Sequence, residues 1–266
     1  MTSRPRSLAI LGVRVDDVTY GEALEFSRRF IRSGKPHLLV TVNTEFVVSA
    51  QKDARFRDVI NTAALSVPDG GGLLLAGRIF GFPLREQVRG TDLADRLAEL
   101  CALEGHRLFL LGAAEGVAAE AGRRLSTKYP GLQVAGTYGG SPDPGRDAEM
   151  VARVRQAGRV DVLLVAYGAP AQELWIARNL ERLGTPVAMG VGGVFDYFSG
   201  RVPRAPKWMR DLGLEWLYRL VRQPWRWRRQ LALPRFALTV LWSVLRRRQA
   251  IVSLRGDPLV CGGEGD

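Results

Sequence analysis

Short apolar runs alternate with amphipathic stretches along the first 200 residues of the chain. The runs with the length and apolar character of buried strands are residues 8–15, 37–43, 63–67, 107–112, 134–138, 161–168 and 186–193. Stretches with helical periodicity lie between them, at 21–32, from 45 to about 60, 90–103, from about 115, 146–156 and from about 171. Because strands alternate with helices, the pattern predicts an α/β fold with a doubly wound, mostly parallel, Rossmann-like sheet.

The pattern changes near residue 200, where helices rich in arginine and tryptophan replace the alternation of strands and helices. Residues 201–248 hold 13 of the 38 basic residues, two of the 27 acidic residues and five of the six tryptophans, so the net charge of +11 belongs to this segment. The apolar stretch 231–245 contains Pro234 and Arg235 and is shorter than the ~20 residues of a membrane-spanning helix. We therefore predict an α/β domain at 1–200, a basic, Trp-rich helical appendage at 201–250 and a disordered tail at 251–266.

The glycine-rich stretch 67–72 follows one of the predicted strands and contains Asp69. Pro68 is expected to end this strand, because proline cannot donate to a ladder and restricts the residue before it. Asp69 then lies at the carboxyl end of a parallel strand, where open α/β sheets bind their ligands. The stretch by itself supports two interpretations equally: Asp69 caps the next helix, or it faces a ligand.

Polar groups lie at the ends of other predicted strands as well. They are Thr41 and Asn43, Gln172 within the segment 168–173, and the glycine loop 190–193. Thr44 is expected to cap the helix that starts at Glu45. Each group has an ordinary loop role as its alternative, but the carboxyl ends of parallel strands meet at one edge of a sheet. The coincidence of these groups at that edge predicts a ligand site.

Several common motifs for binding nucleotides, phosphates or metal ions are absent from the sequence. No G-x-G-x-x-G follows a predicted strand, and the nearest approach, 112–116, has an acid where a pyrophosphate would bind. A Walker lysine motif and an Asp-x-Asp pair are also absent. With two cysteines and two histidines, we expect no disulfide framework, no metal site and a cytoplasmic location. We expect no cofactor either, and a phosphate-binding enzyme of this kind would take its cations from arginines, which the C-terminal segment supplies.

Motifs along the chain resemble those of the WecG/TagA/CpsF glycosyltransferases. They lie at 41–46, 68–70, 89–93, 168–173, 190–196 and 213–220, and the resemblance covers about residues 8 to 240. It implies an inverting, metal-independent enzyme of cell-surface polysaccharide assembly. Such an enzyme moves a sugar, which is N-acetylmannosamine, its uronate or a hexose, from a UDP donor to a polyprenyl-diphosphate-linked acceptor.

The resemblance also implies roles for individual residues. By position, Asp69 matches the general base, and Thr41 belongs with it to the catalytic group. The residues that match substrate-binding positions are Asn43, Arg89, Gln172, Gly190 and Gly192. The arginines that match a group closing over the donor diphosphate are Arg219, Arg226 and Arg229. The chain departs from the family at Gln87, where many members have arginine, and Arg85 and Arg89 are the candidates to replace that cation.

The uneven charge permits two other interpretations. Interleaved arginine and tryptophan also suit a nucleic-acid-binding protein, and a third alternative is a membrane-surface module whose α/β domain is inactive. The strand-end site favours the enzyme, held on the inner face of the cell membrane by its basic segment. The expected partners are a UDP-sugar, a polyprenyl-diphosphate-linked acceptor and an anionic membrane surface, without nucleic acid, and a homo-oligomer is left open.

Overall fold

The computed structural model describes residues 4–211, 215–222, 224, 227, 231–245 and 252–253. Its main sheet has six strands: β3 (His37–Val42), β4 (Leu65–Pro68), β5 (Arg107–Gly112), β6 (Gln133–Tyr138), β7 (Val162–Ala166) and β8 (Val187–Gly190). They lie in the order β4-β3-β8-β7-β5-β6, and every neighbouring pair is parallel. The predicted doubly wound parallel sheet is therefore confirmed.

Helices cover both faces of this sheet. Those before residue 200 are α1 (Tyr20–Ser33), α2 (Thr44–Ala50), α3 (Ala54–Thr62), α4 (Gly71–Ile79), α5 (Gly90–Glu104), α6 (Val117–Lys128), α7 (Asp147–Gln156), α8 (Ala171–Leu183) and α9 (Val194–Phe198). Two buried apolar clusters lie on opposite faces of the sheet, with Leu38 and Val40 of β3 in one and Leu39 in the other. Strands buried on both faces explain why the sequence shows continuous apolar runs rather than strict alternation.

The ends of α1 show how local sequence sets an element. Thr19 and Glu22 form a capping box at its start: the Glu22 N–H donates to Thr19 Oγ1 at 3.3 Å, and the Thr19 N–H donates to Glu22 Oε2 at 2.9 Å. The helix ends at Gly34, whose φ of 65° is the left-handed conformation that glycine adopts without a steric cost.

One sequence-based expectation about strands was wrong. Residues 8–15 are not one strand but a hairpin of β1 (Ser7–Ile10) and β2 (Val13–Asp16), in a small sheet separate from the main one. Leu11 and Gly12 turn the chain with positive φ values of 50° and 77°, as a tight hairpin requires. Pro68 ends β4 as expected and is its last residue; β4 is an edge strand, where the missing N–H of proline costs no ladder bond.

The chain after residue 200 contains three described helices, α10 (Lys207–Asp211), α11 (Glu215–Arg222) and α12 (Ala232–Leu245). Helix α12 packs against α2 and buries Phe236 and Val240 in one of the two apolar clusters. No helix in the described part of the chain is long and apolar enough to cross a bilayer. Within the predicted disordered tail, β9 (Val252–Ser253) pairs with β1, and residues 254–266 lie outside the described ones. The division of the chain near residue 200 stays a prediction.

Candidate active site

A cavity of about 420 Å³ lies at the carboxyl edge of the main sheet, between the strand ends and helices α11 and α12. Its lining includes every residue that the sequence predicted on the sheet side of the site: Thr41, Asn43, Asp69, Arg89, Gln172, Gly190 and Gly192. Glu215, Trp216 and Leu233 close it from the C-terminal segment. The strand-end groups are therefore brought together in one pocket.

Asp69 follows the last residue of β4, and its N–H donates to the Val42 carbonyl oxygen at 2.7 Å. Its carboxylate does not cap the next helix, because α4 begins after Gly70 without any side-chain cap. Asp69 Oδ2 instead accepts a hydrogen bond at 3.1 Å from the N–H of Gly90, which is the first residue of α5. The Asp69 side chain is thereby turned toward the pocket and away from α4.

Gly90 makes this approach sterically feasible. A Cβ atom on residue 90 would lie 3.0 Å from Thr41 Oγ1 and 3.2 Å from Asp69 Oδ2. The glycine therefore lets the positive end of α5 come close to both predicted catalytic side chains. Gly90 lies within the motif 89–93, but its role follows only from these distances in the folded chain.

Burial is the largest influence on the Asp69 carboxyl and raises its pKa to about 7. The Gly90 N–H lowers this pKa, Glu215 raises it, Arg89 lowers it and Asp92 raises it. A carboxyl group with a pKa near neutrality holds a proton weakly enough to be ionised at cellular pH and strongly enough to accept one from a substrate. These are the properties of a general base.

Arg204 connects the pocket wall to the C-terminal segment. Its Nη1 donates to Asp92 Oδ1 at 2.6 Å, in the first turn of α5, and its Nε donates to Glu215 Oε1 at 3.2 Å, at the start of α11. Arg89 also lies near Asp92, with 3.9 Å between Arg89 Nη1 and Asp92 Oδ2. Arg204 could not be predicted from the sequence, because no motif marks it and its partner Asp92 lies 112 residues away in the chain.

Arg85 and Arg89, the two candidates to replace a cation at position 87, lie in different surroundings. Arg85 does not line the cavity but forms ion pairs with Asp17 at 3.0 Å and with Glu22 at 2.6 Å. Arg89 and Gln87 both line the cavity. Of the two candidate replacements, Arg89 therefore lies where a pocket cation would be needed.

Asn43 serves as a helix cap as well as a pocket residue. Its Oδ1 accepts a hydrogen bond from the Phe46 N–H at 3.0 Å, so Asn43, not Thr44, caps α2, and Thr44 is the first helical residue. Because the cap uses the side-chain carbonyl oxygen, the amide nitrogen is the donor that Asn43 can offer to a ligand.

Gln172 bridges two loops at the pocket edge. Its Oε1 accepts hydrogen bonds from the Gly168 N–H at 3.0 Å and from the Gly192 N–H at 2.8 Å. Gly190 lies against this side chain, and a Cβ atom on residue 190 would come within 2.6 Å of Gln172 Nε2. Gly190 and Gly192 thus shape the pocket through their backbone.

The predicted diphosphate-binding arginines fall largely outside the described structure. Arg219 lies in α11, but its side chain is not described, and Arg226 and Arg229 lie outside the described residues. Within the described part of the chain, no group of three or more His, Cys, Asp or Glu side chains is arranged to hold a metal ion. Metal independence stays a prediction.

A parallel α/β sheet with a carboxyl group of raised pKa in a strand-end pocket is typical of an enzyme of the open α/β class, which binds its ligand at the carboxyl edge of the sheet. Comparison with known proteins identifies it further: the chain belongs to the Glycosyl transferase WecG/TagA/CpsF family, whose model matches residues 8–250. The chain is therefore a glycosyltransferase, and the resemblance seen in its motifs is confirmed.

Two relatives carry the same printed name, N-acetylglucosaminyldiphosphoundecaprenol N-acetyl-beta-D-mannosaminyltransferase. The relative from Bacillus subtilis (strain 168) is 37% identical over 204 residues, which are 77% of this chain and 78% of its own length. The relative from Bacillus spizizenii (strain ATCC 23059 / NRRL B-14472 / W23) is 35% identical over 212 residues, 80% of this chain and 81% of its own length.

Proposed function

We propose that this glycosyltransferase moves a sugar from a UDP donor to a polyprenyl-diphosphate-linked sugar acceptor, with inversion and without a metal ion. Both relatives are named for adding N-acetylmannosamine to N-acetylglucosaminyldiphosphoundecaprenol, which favours N-acetylmannosamine over its uronate or a hexose. The observation that carries the proposal is Asp69, whose carboxyl group lies in the pocket at the end of β4 with a pKa raised to about 7.

In the proposed reaction, Asp69 removes the proton from the acceptor hydroxyl. The hydroxyl oxygen attacks the anomeric carbon of the donor sugar from one face as the bond to UDP breaks on the other, so the configuration inverts. The proton ends on the Asp69 carboxyl group, and the electron pair of the broken bond leaves with UDP. General base catalysis of this kind contributes ~10²–10⁴ in rate.

The departing UDP needs positive charge, which arginines supply in the absence of a metal ion. Arg89 lines the pocket, and we assign the remaining charge to Arg219, Arg226 and Arg229 of the C-terminal segment. The position of α11 supports this assignment, because its first residues, Glu215 and Trp216, already form part of the pocket lining. A well-placed donor group contributes ~10²–10³ to such a step.

The same segment is proposed to hold the enzyme against the anionic inner face of the cell membrane, where its acceptor resides. Four tryptophans after residue 200 are at least 41% exposed, namely Trp208, Trp216, Trp227 and Trp242. Tryptophan favours the headgroup level of a bilayer, and each basic residue near an anionic surface is worth ~1 kcal/mol. Because α11 also lines the pocket, docking at the membrane and completion of the site would be coupled.

A donor panel tests the proposed reaction. UDP release is measured for UDP-N-acetylmannosamine, its uronate and UDP-hexoses, each with and without a short-chain polyprenyl-diphosphate-N-acetylglucosamine acceptor. We expect release with UDP-N-acetylmannosamine only when the acceptor is present. Release that is equal without the acceptor, or absent with every UDP-sugar, would refute the proposal. The affinities for UDP and for single-stranded DNA are also compared at the same salt concentration. Tighter binding of UDP would exclude the nucleic-acid alternative, and tighter binding of DNA would restore it.

A further inference from the structure

Glu173 is a buried carboxyl group to which the proposed reaction gives no role. It lies in the first turn of α8 with 0% of its surface exposed, and burial, the dominant effect, raises its pKa to about 7. Its Oε1 accepts a hydrogen bond from Gln172 Nε2 at 2.6 Å. Its Oε2 is buried and has no hydrogen-bond partner among the described residues. Burying a carboxyl group with an unpaired oxygen costs stability, and this cost is a reason to look for a role for Glu173.

The geometry of the neighbouring amide suggests what that function is. The oxygen of Gln172 faces two backbone N–H donors, those of Gly168 and Gly192, and its nitrogen faces the Glu173 carboxyl. A rotation of the amide by 180° would place the Gln172 nitrogen against the two backbone N–H groups and the Gln172 oxygen against the carboxyl oxygen of Glu173. All three hydrogen bonds would then be lost. Glu173 and the two backbone donors therefore hold the Gln172 amide in one orientation, and Glu173 is the one side chain among these three partners.

The orientation of this amide matters for the pocket because it joins two separate loops. Gly168 follows β7 and Gly192 follows β8, and both line the cavity. Gly190 leaves room for the pair, because a Cβ atom on residue 190 would come within 2.5 Å of Glu173 Oε1 and 2.6 Å of Gln172 Nε2. Without the bridge, the two loops would lose their common hydrogen-bond acceptor.

We propose that Glu173 is a positioning residue whose carboxyl group orients the Gln172 amide and thereby fixes the spacing of the Gly168 and Gly192 loops around the donor. Its kinetic consequence rests on the proposed function, whereas its structural consequence does not. Two readouts therefore separate the failure of one from the failure of the other.

The kinetic readout compares Glu173→Gln with Glu173→Met. The glutamine keeps a carbonyl oxygen that accepts from Gln172 Nε2, whereas the methionine fills a similar space without an acceptor. We expect Glu173→Gln to retain most of the wild-type kcat/KM. Glu173→Met should lose about tenfold, the loss of roughly one hydrogen bond, mainly through a higher KM for the donor. Equal kinetics for the two variants would overturn the proposal.

Asn179→Leu provides the matched control. Asn179 is another fully buried polar residue of α8, and its Nδ2 donates to the Trp175 carbonyl oxygen at 3.1 Å, outside the pocket lining. This substitution should lower the thermal midpoint without changing the donor KM. A rise in KM that matches that of Glu173→Met would mean that the effect is general destabilisation of α8, and the proposal would fail.

The structural readout is hydrogen exchange of the Gly168 and Gly192 amides, followed by NMR on glycine-labelled full-length protein. Both amides should exchange faster in Glu173→Met and at the wild-type rate in Glu173→Gln. Wild-type protection in Glu173→Met would refute the proposal even if the enzyme proved to have another activity. If the methionine variant does not fold, Glu173→Ala removes the acceptor without added bulk, and the same outcomes apply.

Discussion

The sheet side of the pocket and its C-terminal cover are held in place by different forces. On the sheet side, Asp69 and Gln172 are fixed by hydrogen bonds to backbone groups of neighbouring loops, above strands that are buried on both faces. The cover consists of α11 and α12. Helix α12 buries Phe236 to 5% exposure, a contribution of about 1.5–3 kcal/mol, whereas α11 is joined to α5 through the partly exposed ion pairs of Arg204.

This difference indicates which part of the pocket can move. Partly exposed ion pairs contribute ~0–1 kcal/mol each, less than one buried aromatic side chain. Because no described apolar side chain of α11 is fully buried, we expect this helix to be the part of the cover that opens most easily. The proposed catalytic base, Asp69, lies on the sheet side, and the proposed diphosphate-binding arginine of α11, Arg219, lies in the cover.

Removal of the chain after Gly200 is expected to have the largest effect. It takes away Glu215, Trp216 and every proposed diphosphate-binding arginine, so both transfer and liposome binding should be lost. Assays with liposomes of anionic lipid and with a soluble acceptor measure the two losses. Removal of residues 254–266 alone is the control and should preserve both, and a truncated enzyme that still transfers sugar would show that the cover is dispensable.

The second-largest effect is expected for Asp69→Asn, which should lower turnover by ~10²–10⁴ and leave UDP binding unchanged. The substitution removes the base without changing the shape of the side chain. In the wild type, the Asp69 carboxyl group is protonated, and therefore inactive as a base, at pH values below its pKa of about 7. The value of kcat/KM should therefore rise with pH up to about 7 and then level off. Asp53→Asn, which keeps the cap of α3, is the matched control. Near-normal turnover of Asp69→Asn would remove Asp69 from the mechanism.

Arg219→Ala should lose about 10² in transfer and spare liposome binding, because one positioned cation is removed while the rest of the basic surface remains. Activity is measured with a soluble acceptor, so that membrane attachment does not enter the rate. Arg222→Ala, on the same helix with 5.5 Å from the Arg222 guanidinium carbon to the Tyr218 ring centre, serves as the charge-matched control. Full activity of Arg219→Ala would exclude a role of Arg219 in diphosphate binding and would leave membrane attachment as the function of α11.

Arg204→Ala should cost about tenfold in kcat/KM at neutral pH, roughly the effect of losing the ion pairs that attach α11. Asp92 and Glu215 both raise the pKa of Asp69, and without Arg204 their charges are less balanced. The rising limb of the pH profile should therefore move to higher pH, a change that simple destabilisation would not produce. Arg201→Ala, an exposed neighbour, should leave the profile unchanged, and an unmoved profile in Arg204→Ala would exclude the proposed coupling.

The smallest expected effect is that of metal removal. Because arginines are proposed to neutralise the departing UDP, EDTA should leave the transfer rate within about twofold of its initial value. The rate with added Mg²⁺ or Mn²⁺ is the complementary measurement. A strict requirement for either ion would contradict the assignment of charge neutralisation to the cover.

The sequence by itself determined the parallel α/β sheet and the edge at which its site lies. Apolar runs and helical periodicity are local properties, and strand-end polar residues such as Asp69 and Gln172 need only the general rule for open sheets to be placed together. The errors of the sequence-based prediction were local as well: the turn at Leu11 and Gly12 divides one apolar run into a hairpin, and Asn43 rather than Thr44 caps α2.

Only the tertiary structure decided what surrounds these groups. The Gly90 N–H that binds Asp69 comes from 21 residues away, and Arg204 reaches Asp92 across 112 residues. The raised pKa values of Asp69 and Glu173 depend on burial, which is a property of the packed molecule and of no single segment. A sequence can place a carboxyl group at a strand end, but the proton affinity of that group is set by the water it loses and the charges that packing brings beside it.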